Sequence, residues 1–313
     1  MIKYNDTLYC FQRDGVAVVS VLPRVQVSAT DSIAIELGMG SVLNNYQYIN
    51  TNSGCDDFNG VISTSSAIYY GDRIRRTINI IEGNVVSGLS DNLGISQYIK
   101  GYDTDMEFKP NYRLGFNPIT DDVLFTIQRQ SADLFGSFET VVYDEGIKKF
   151  TSILDLPSQF IFTIDAKMHS VSTLNKNQVW NHFIGYNSCN FYGIQKALEL
   201  TICLNPEQAE NDNIFNSLEW THDIVDTTTL THYDDNITGF SSWNDYLTSE
   251  IPSLPSDIQR RFRMSRLFIP RSNSDSLSRM RGQYLFIKLT YSPSDPKRTI
   301  LLNDISLYYS SQR

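Results

Sequence analysis

The densest chemistry in the chain lies between Arg260 and Gly282, in the run RRFRMSRLFIPRSNSDSLSRMRG. It holds Arg260, Arg261, Arg263, Arg266, Arg271, Arg279 and Arg281 and no lysine. From Asp257 to Arg281 the net charge is +5, against −14 for the rest of the chain. A guanidinium is planar, permanently charged and suited to bidentate pairing with carboxylates, and arginine is enriched at interface hot spots. The strip has three uses open to it: docking an acidic partner surface, pairing with the chain's own surplus carboxylates, or contacting DNA. On one strand Arg261 and Arg263 would share a face, with Phe262 and Met264 packed on the other.

Two other groupings could do chemistry. His222, Asp223, Asp226, His232, Asp234 and Asp235 combine imidazoles and carboxylates, the ligands that divalent ions take. A loop rich in Thr, Asp and His more often spends such groups on capping turns. The neighbouring acids Asp56 and Asp57, or Asp121 and Asp122, would suit glycoside hydrolysis if set across a cleft. Adjacent residues on a strand point to opposite faces, so these pairs read better as turns. Gly38 to Gly40 is a lone glycine turn, and no motif of hydrolase, metalloprotease, kinase or dehydrogenase occurs. Cys10, Cys55, Cys189 and Cys203 form no C-x-x-C pair, which points to neither zinc nor redox chemistry. No catalytic residue, metal or cofactor is expected, and the chain does not read as an enzyme.

The elements that must position these residues are strands. Eighteen Tyr and 17 Phe in 313 residues suit pleated surfaces, and helical periodicity is confined to short stretches near Asn205 to Asn213 and Ser241 to Ser249. TLYCFQRDGVAVVSV from Thr7, AIYYGDRIRRTINII from Ala67, TVVYDEGIKKFTSIL from Thr140 and IFTIDAKMHSVST from Ile161 each read as two strands around a polar turn. An Asp near each turn (Asp14, Asp72, Asp144, Asp165) can accept backbone N–H bonds and close it. Repeated hairpins of this kind fit β-propeller blades, and equally any antiparallel meander.

The fold expected is therefore all-β: incomplete propeller-like hairpins over residues 1–185, then a β-sandwich-like domain over 186–313. In the second domain, strands are expected at Leu198 to Leu204, Asn216 to Thr221, Ser265 to Ile269, Gln283 to Tyr291 and Thr299 to Tyr309. The polar stretch at about 223–257 reads as a long exposed loop with some helix, anchored by Trp243 and Tyr246.

A net charge of −9 and a pI near 4.9 argue against a surface devoted to nucleic acid, because phosphate neutralisation needs surplus Lys and Arg. The N-terminal residues carry no apolar signal region, and the longest apolar run, about Gly15 to Leu22, is too short to span a bilayer. Synthesis in a cytoplasm without membrane insertion follows, which leaves the sequons at Asn5 and Asn236 without a route to glycosylation.

Several stretches together resemble the tail muzzle proteins of crAss-like bacteriophages, also called nozzle or tail stabilisation proteins. They are PRVQVSATDSIAIELGMGSVLNNYQYINTNSG, SSAIYYGDRIRRTINII, GFNPITDDVLFTI, NFYGIQKALELTICLNP, NIFNSLEW, RRFRMSRLFIPR and SRMRGQYLFIKLTY, in chain order. The resemblance implies a virion component of a short tail, made in the host bacterial cytoplasm and set in a ring of its own copies and other tail proteins. DNA would pass nearby without specific binding. It also implies propeller and sandwich domains. Family members are much longer, so the resemblance is to their C-terminal portion, with a second polypeptide expected to supply the remainder. The function expected is a structural subunit that closes and stabilises the DNA exit channel. Two rivals stand beside it: a receptor- or glycan-binding module, which exposed Trp and Tyr on loops would favour, and a glycan-cleaving enzyme, which would need acids converging in a cleft.

Overall fold

The computed structural model describes residues 1–21, 25–28, 34–37, 43–101, 109–128, 138–173, 177–182, 189–205, 213–251, 258–261, 264–273 and 278–311. The described chain is almost entirely antiparallel β-structure and divides into two compact units, Met1–Ile184 and Gly185–Arg313.

In the first unit, consecutive strands pair as meanders. One sheet joins Ile2–Tyr4, Thr7–Phe11, Val16–Val21 and Leu43–Asn50. The next joins Val61–Ser63, Ile68–Asp72, Thr77–Glu82 and Val85–Gly88, and a third joins Tyr112–Asn117, Asp122–Gln128, Phe138–Asp144 and Lys149–Leu154. Ser158–Ile164, Lys167–Ser172 and Val179–Asn181 form a three-stranded sheet after them.

These sheets stack face to face, and the sequence shows why. Ile68–Asp72 reads IYYGD and is buried at every position, as a strand covered on both faces should be. Its alternate side chains divide between two cores. Ile68 and Tyr70 join Tyr4, Tyr9, Val16 and Ile81, whereas Tyr69 joins Ile78, Ile80, Tyr112, Val123 and Phe125. Glu145 ties the second sheet to the third, accepting from Thr64 Oγ1 at 2.6 Å and Tyr69 Oη at 2.7 Å. Within the third sheet the Thr126 and Thr140 hydroxyls bond at 2.7 Å, and Thr126 reaches the Ser158 hydroxyl of the fourth sheet at 2.8 Å.

One turn recurs. In DRIRRT, NPITDD and DEGIKK the first and sixth residues pair across the hairpin: Asp72 with Thr77, Asn117 with Asp122, Asp144 with Lys149. The first side chain accepts backbone N–H groups from within the turn, as Asp72 Oδ1 does from Ile74 and Arg75, both at 2.9 Å, and Asp144 Oδ1 from Gly146 and Ile147. The fifth residue (Arg76, Asp121 or Lys148) turns left-handed, at φ between 55° and 57°. Four-residue hairpin loops built on a type I turn need such a reversal to re-enter the sheet. Asp165 closes its hairpin by a different means, sitting left-handed together with Ala166. The Asp14 carboxylate faces Arg13 and Arg75.

The second unit packs two sheets around one core. Leu198–Leu204, Leu285–Tyr291, Gly239–Trp243 and Thr248–Ile251 form the first. The second centres on the long strand Asn213–Asp226, with Arg298–Ser311 along one side and Arg281–Gly282, Met264–Phe268 and His232–Tyr233 along the other; Gln259–Arg261 extends it. Leu218, Trp220, Phe240, Leu267, Leu285, Ile287 and Leu289 fill the space between. The same turn reappears in DTTTLT, where Asp226 Oδ1 accepts from Thr228 and Thr229 and Leu230 is left-handed.

Two expectations need correction here. The stretch 223–257 is not a long loop with some helix: it carries the end of Asn213–Asp226 and the strands His232–Tyr233, Gly239–Trp243 and Thr248–Ile251. On Gly239–Trp243, buried Phe240 and Ser242 alternate with half-buried Ser241 and Trp243, so overall polarity concealed a one-sided strand pattern. No helix runs from Ser241 to Ser249 for the same reason, and residues 206–212 of the other expected helix lie outside the described residues. Among the described residues the α-helices Leu89–Asn92 and Ser96–Gly101 place Leu89 and Ile99 in the core of the first unit.

Candidate interface

The arginine strip is not one strand. Gln259–Arg261 and Met264–Phe268 are antiparallel partners, with Arg261 opposite Met264. Arg263 and Phe262 lie outside the described residues, and of Arg261 the structure describes only the backbone. Met264 was expected on an apolar floor; it is 38% exposed at the start of its strand.

The remaining arginines separate into distinct environments. Arg266 stands opposite Glu219 on the neighbouring strand, with Nε 3.3 Å from Oε1, and its Nη2 donates to Ser217 Oγ at 3.1 Å. Its guanidinium carbon also lies 5.0 Å from the Phe268 ring centre and 5.7 Å from that of Tyr308. Tyr308 donates to the same carboxylate, which raises its own pKa. Arg260 is salt-bridged to Asp234 and also donates to that residue's carbonyl. Arg271, Arg279 and Arg281 are exposed. Arg279 and Arg281 make no ion pair among the described residues.

Two exposed rings, Phe268 at 52% and Tyr308 at 48%, give an apolar patch to the face that holds Arg266. The strand Arg298–Ser311 borders this face. It pairs along nearly its whole length with Asn213–Asp226, and among the described residues no strand pairs with its other side.

The groupings that might have done other chemistry are each dispersed into separate tasks. Asp226 closes a turn, Asp234 pairs with Arg260, and Asp235 pairs with Arg298 at 2.5 Å. His222 Nε2 donates to the Asp235 carbonyl at 3.1 Å, and His232 lies 3.9 Å from Asp223. No group of three or more ligating side chains converges among the described residues. Asp56 pairs with Arg73 at 2.8 Å and Asp57 with Arg113, so two different cations divide that acid pair. Desolvation raises the Asp122 pKa, and its hydroxyl partner is Thr120. Gly38 to Gly40 lies outside the described residues. The four cysteines are free thiols, and burial pushes Cys55 up to about 12, which leaves it without thiolate character. No helix of the described chain is long and apolar enough to cross a membrane.

One pair escaped the sequence reading. Ser170 Oγ lies 2.6 Å from His182 Nε2, an arrangement that can activate a hydroxyl nucleophile. Both residues are buried, at 0% and 6% exposure, so the pair bonds inside the sheet and does not face a cleft. Burial, assisted by the nearby His169, lowers the imidazole pKa to about 4. The only sequence trace is two polar residues on neighbouring strands of one hairpin.

A model of the crassvirus muzzle protein family matches residues 1–173. The muzzle protein of Bacteroides phage crAss001 is 28% identical over 320 aligned positions, which take in 98% of this chain and 22% of the relative. The chain thus spans about a fifth of the length of that relative.

Proposed function

The chain belongs to the crassvirus muzzle protein family, and we propose that it is a structural subunit of a short phage tail that acts by assembly, without turnover, to close and stabilise the DNA exit channel. The observation that carries this reading is the long strand Arg298–Ser311, with one side free of described partners and an apolar face beside it. An exposed edge of that length is a template for pairing, and natural proteins seldom leave one uncovered unless another chain covers it. The partner proposed is a strand of a neighbouring tail subunit, a copy of this chain or another tail protein. Membership in the family supports placement in the virion tail.

In the first unit, we read the successive antiparallel meanders as blades of an incomplete propeller, with the remainder supplied by another polypeptide. Stacked sheets with apolar residues on both faces support that reading. Arg260 and Arg266 are engaged within their own unit, whereas Arg279 and Arg281 are exposed with no ion pair among the described residues. The overall negative charge supports a channel component that lets DNA pass without gripping it.

The test is incorporation. Leu301→Lys together with Tyr309→Lys adds charge along the edge strand at exposed positions. The variant subunit should remain folded and soluble yet be lost from assembled tails, as read by composition of purified particles. Normal incorporation would overturn the edge-pairing reading, and density for this chain elsewhere in the particle would overturn the tail placement.

A further inference from the structure

In the second unit, the turn Asn244 to Leu247 and the segment Arg281 to Tyr284 form the two walls of a cleft of about 590 Å³. Its size lies within the range of small-ligand sites, roughly 300–1,000 Å³. Asn244 holds the walls together. Its Oδ1 accepts from the Tyr246 and Leu247 N–H groups at 3.1 and 2.9 Å, and its Nδ2 donates across the cleft to the Arg281 carbonyl at 2.8 Å. Gly282 permits that approach: it sits at φ +153°, and a Cβ there would lie 2.9 Å from Asn244 Nδ2.

The rigid turn sends its two side chains in opposite directions. Leu247 packs on the core, while Tyr246 is left 86% exposed at the mouth of the cleft. A single exposed tyrosine is unremarkable. This one has its backbone N–H held by Asn244 Oδ1 and lines the same cleft as Tyr284. Trp243 stacks on Phe286 at 5.6 Å, and Tyr284 meets Phe286 edge-on at 5.5 Å. Both walls carry charge. The Asp245 carboxylate is taken by the Tyr284 hydroxyl, an interaction that raises the tyrosine pKa. Arg281 is exposed and makes no ion pair among the described residues, whereas Arg260, Arg266 and Arg298 of the same unit each hold a carboxylate.

We propose that this cleft is a binding site for an acidic saccharide, with Tyr246 as the ring on which a sugar face lies and Arg281 as the partner of its carboxylate. An exposed aromatic face offers amphipathic contact area, and a planar guanidinium pairs a carboxylate through two parallel hydrogen bonds. The same surface suits DNA poorly, because one uncommitted arginine beside Asp245 cannot neutralise a run of phosphates. The inference does not depend on how the chain assembles.

The experiment is a titration of the purified full chain with a galacturonic acid trimer, a galactose trimer, single-stranded DNA and an acidic peptide. The acidic trimer should bind, and the neutral trimer should bind at least about tenfold more weakly for want of the carboxylate contact. Tyr246→Ala and Arg281→Gln, both at exposed side chains, should each weaken binding by about tenfold or more while leaving the thermal midpoint unchanged. Four results would overturn the proposal: no saccharide binding, equal binding of both trimers, binding unaffected by either variant, or tighter binding of the DNA or the peptide.

Discussion

Gly115 and Ile161 lie on facing strands of adjacent sheets, so close that a Cβ on the glycine would fall 2.1 Å from the isoleucine Cγ2. Gly71 stands in the same relation to Tyr112, where the closest ring atom would be 2.2 Å away. Neither glycine is left-handed, so alanine fits the backbone at both sites and the conflict is purely steric. Gly115→Ala should therefore destabilise the first unit by about 1–3 kcal/mol, read from the denaturant midpoint. Combined with Ile161→Ala, which removes the clashing Cγ2 methyl, the two changes should cost less than the sum of each alone, since residues in direct contact couple. Strict additivity of the two changes would refute the stacking explanation.

The recurrent turn makes opposite predictions for its first and fifth residues. Asp72→Ala removes a buried carboxylate from the partly buried Ile74 and Arg75 N–H groups and should cost about 1–3 kcal/mol. Asp144→Ala, in a more exposed turn, should cost about 1 kcal/mol. Lys148→Gly should instead stabilise by about 1 kcal/mol, because a left-handed lysine carries a steric penalty that glycine avoids. Thermal midpoints of the three variants decide the matter, and a destabilised glycine variant would count against the turn assignment.

Part of this architecture is legible in the residues themselves. An Asp or Asn opening a polar hexamer between apolar runs announces its hairpin, and IYYGD announces a strand buried on both faces. What cannot be read is which sheet faces which. Gly71 carries no sign that Tyr112 will lie against it, and nothing at Arg266 indicates a partner 47 positions earlier at Glu219. Both depend on register between distant strands. The stretch after Asp223 misleads because its buried side chains are few and alternate with Thr, Asp and Asn. The cleft beside Tyr246 depends on one asparagine bonding across to the Arg281 carbonyl, a contact that residue types alone do not encode.

His182 gives the first unit a pH dependence of defined sign. Its folded-state pKa, about 4, lies below the ordinary 6.5, so the unfolded chain takes up a proton first as pH falls. Stability is fully retained above about pH 6.5, declines between 6.5 and 4, and levels off below, by about 3 kcal/mol for a shift of this size. His182→Gln, which can still bond Ser170, should flatten this decline in urea midpoints measured across the interval. An equally steep decline in the variant would assign the effect to other groups.

The last prediction separates the arginines by what each would leave behind. Glu219 is only 11% exposed at its side chain, and Arg266 is its cationic partner across the strand. Arg266→Ala removes that partner, the Ser217 contacts and the cover over Phe268 and Tyr308, leaving a nearly buried carboxylate bonded by the Tyr308 hydroxyl. A fully buried pair broken in this way costs about 3–5 kcal/mol, and exposed pairs are worth about 0–1 kcal/mol. Arg266 is 40% exposed, so an intermediate loss of about 1–2 kcal/mol is expected in the second unit. Arg279→Ala, at an exposed position with no described ion pair, should stay within about 0.5 kcal/mol of the parent. Adding Glu219→Gln to Arg266→Ala should restore much of the loss by removing the stranded charge. If Arg266→Ala and Arg279→Ala destabilise equally, the Arg266–Glu219 pair is not the distinction between them, and the strip acts as a diffuse field of positive charge.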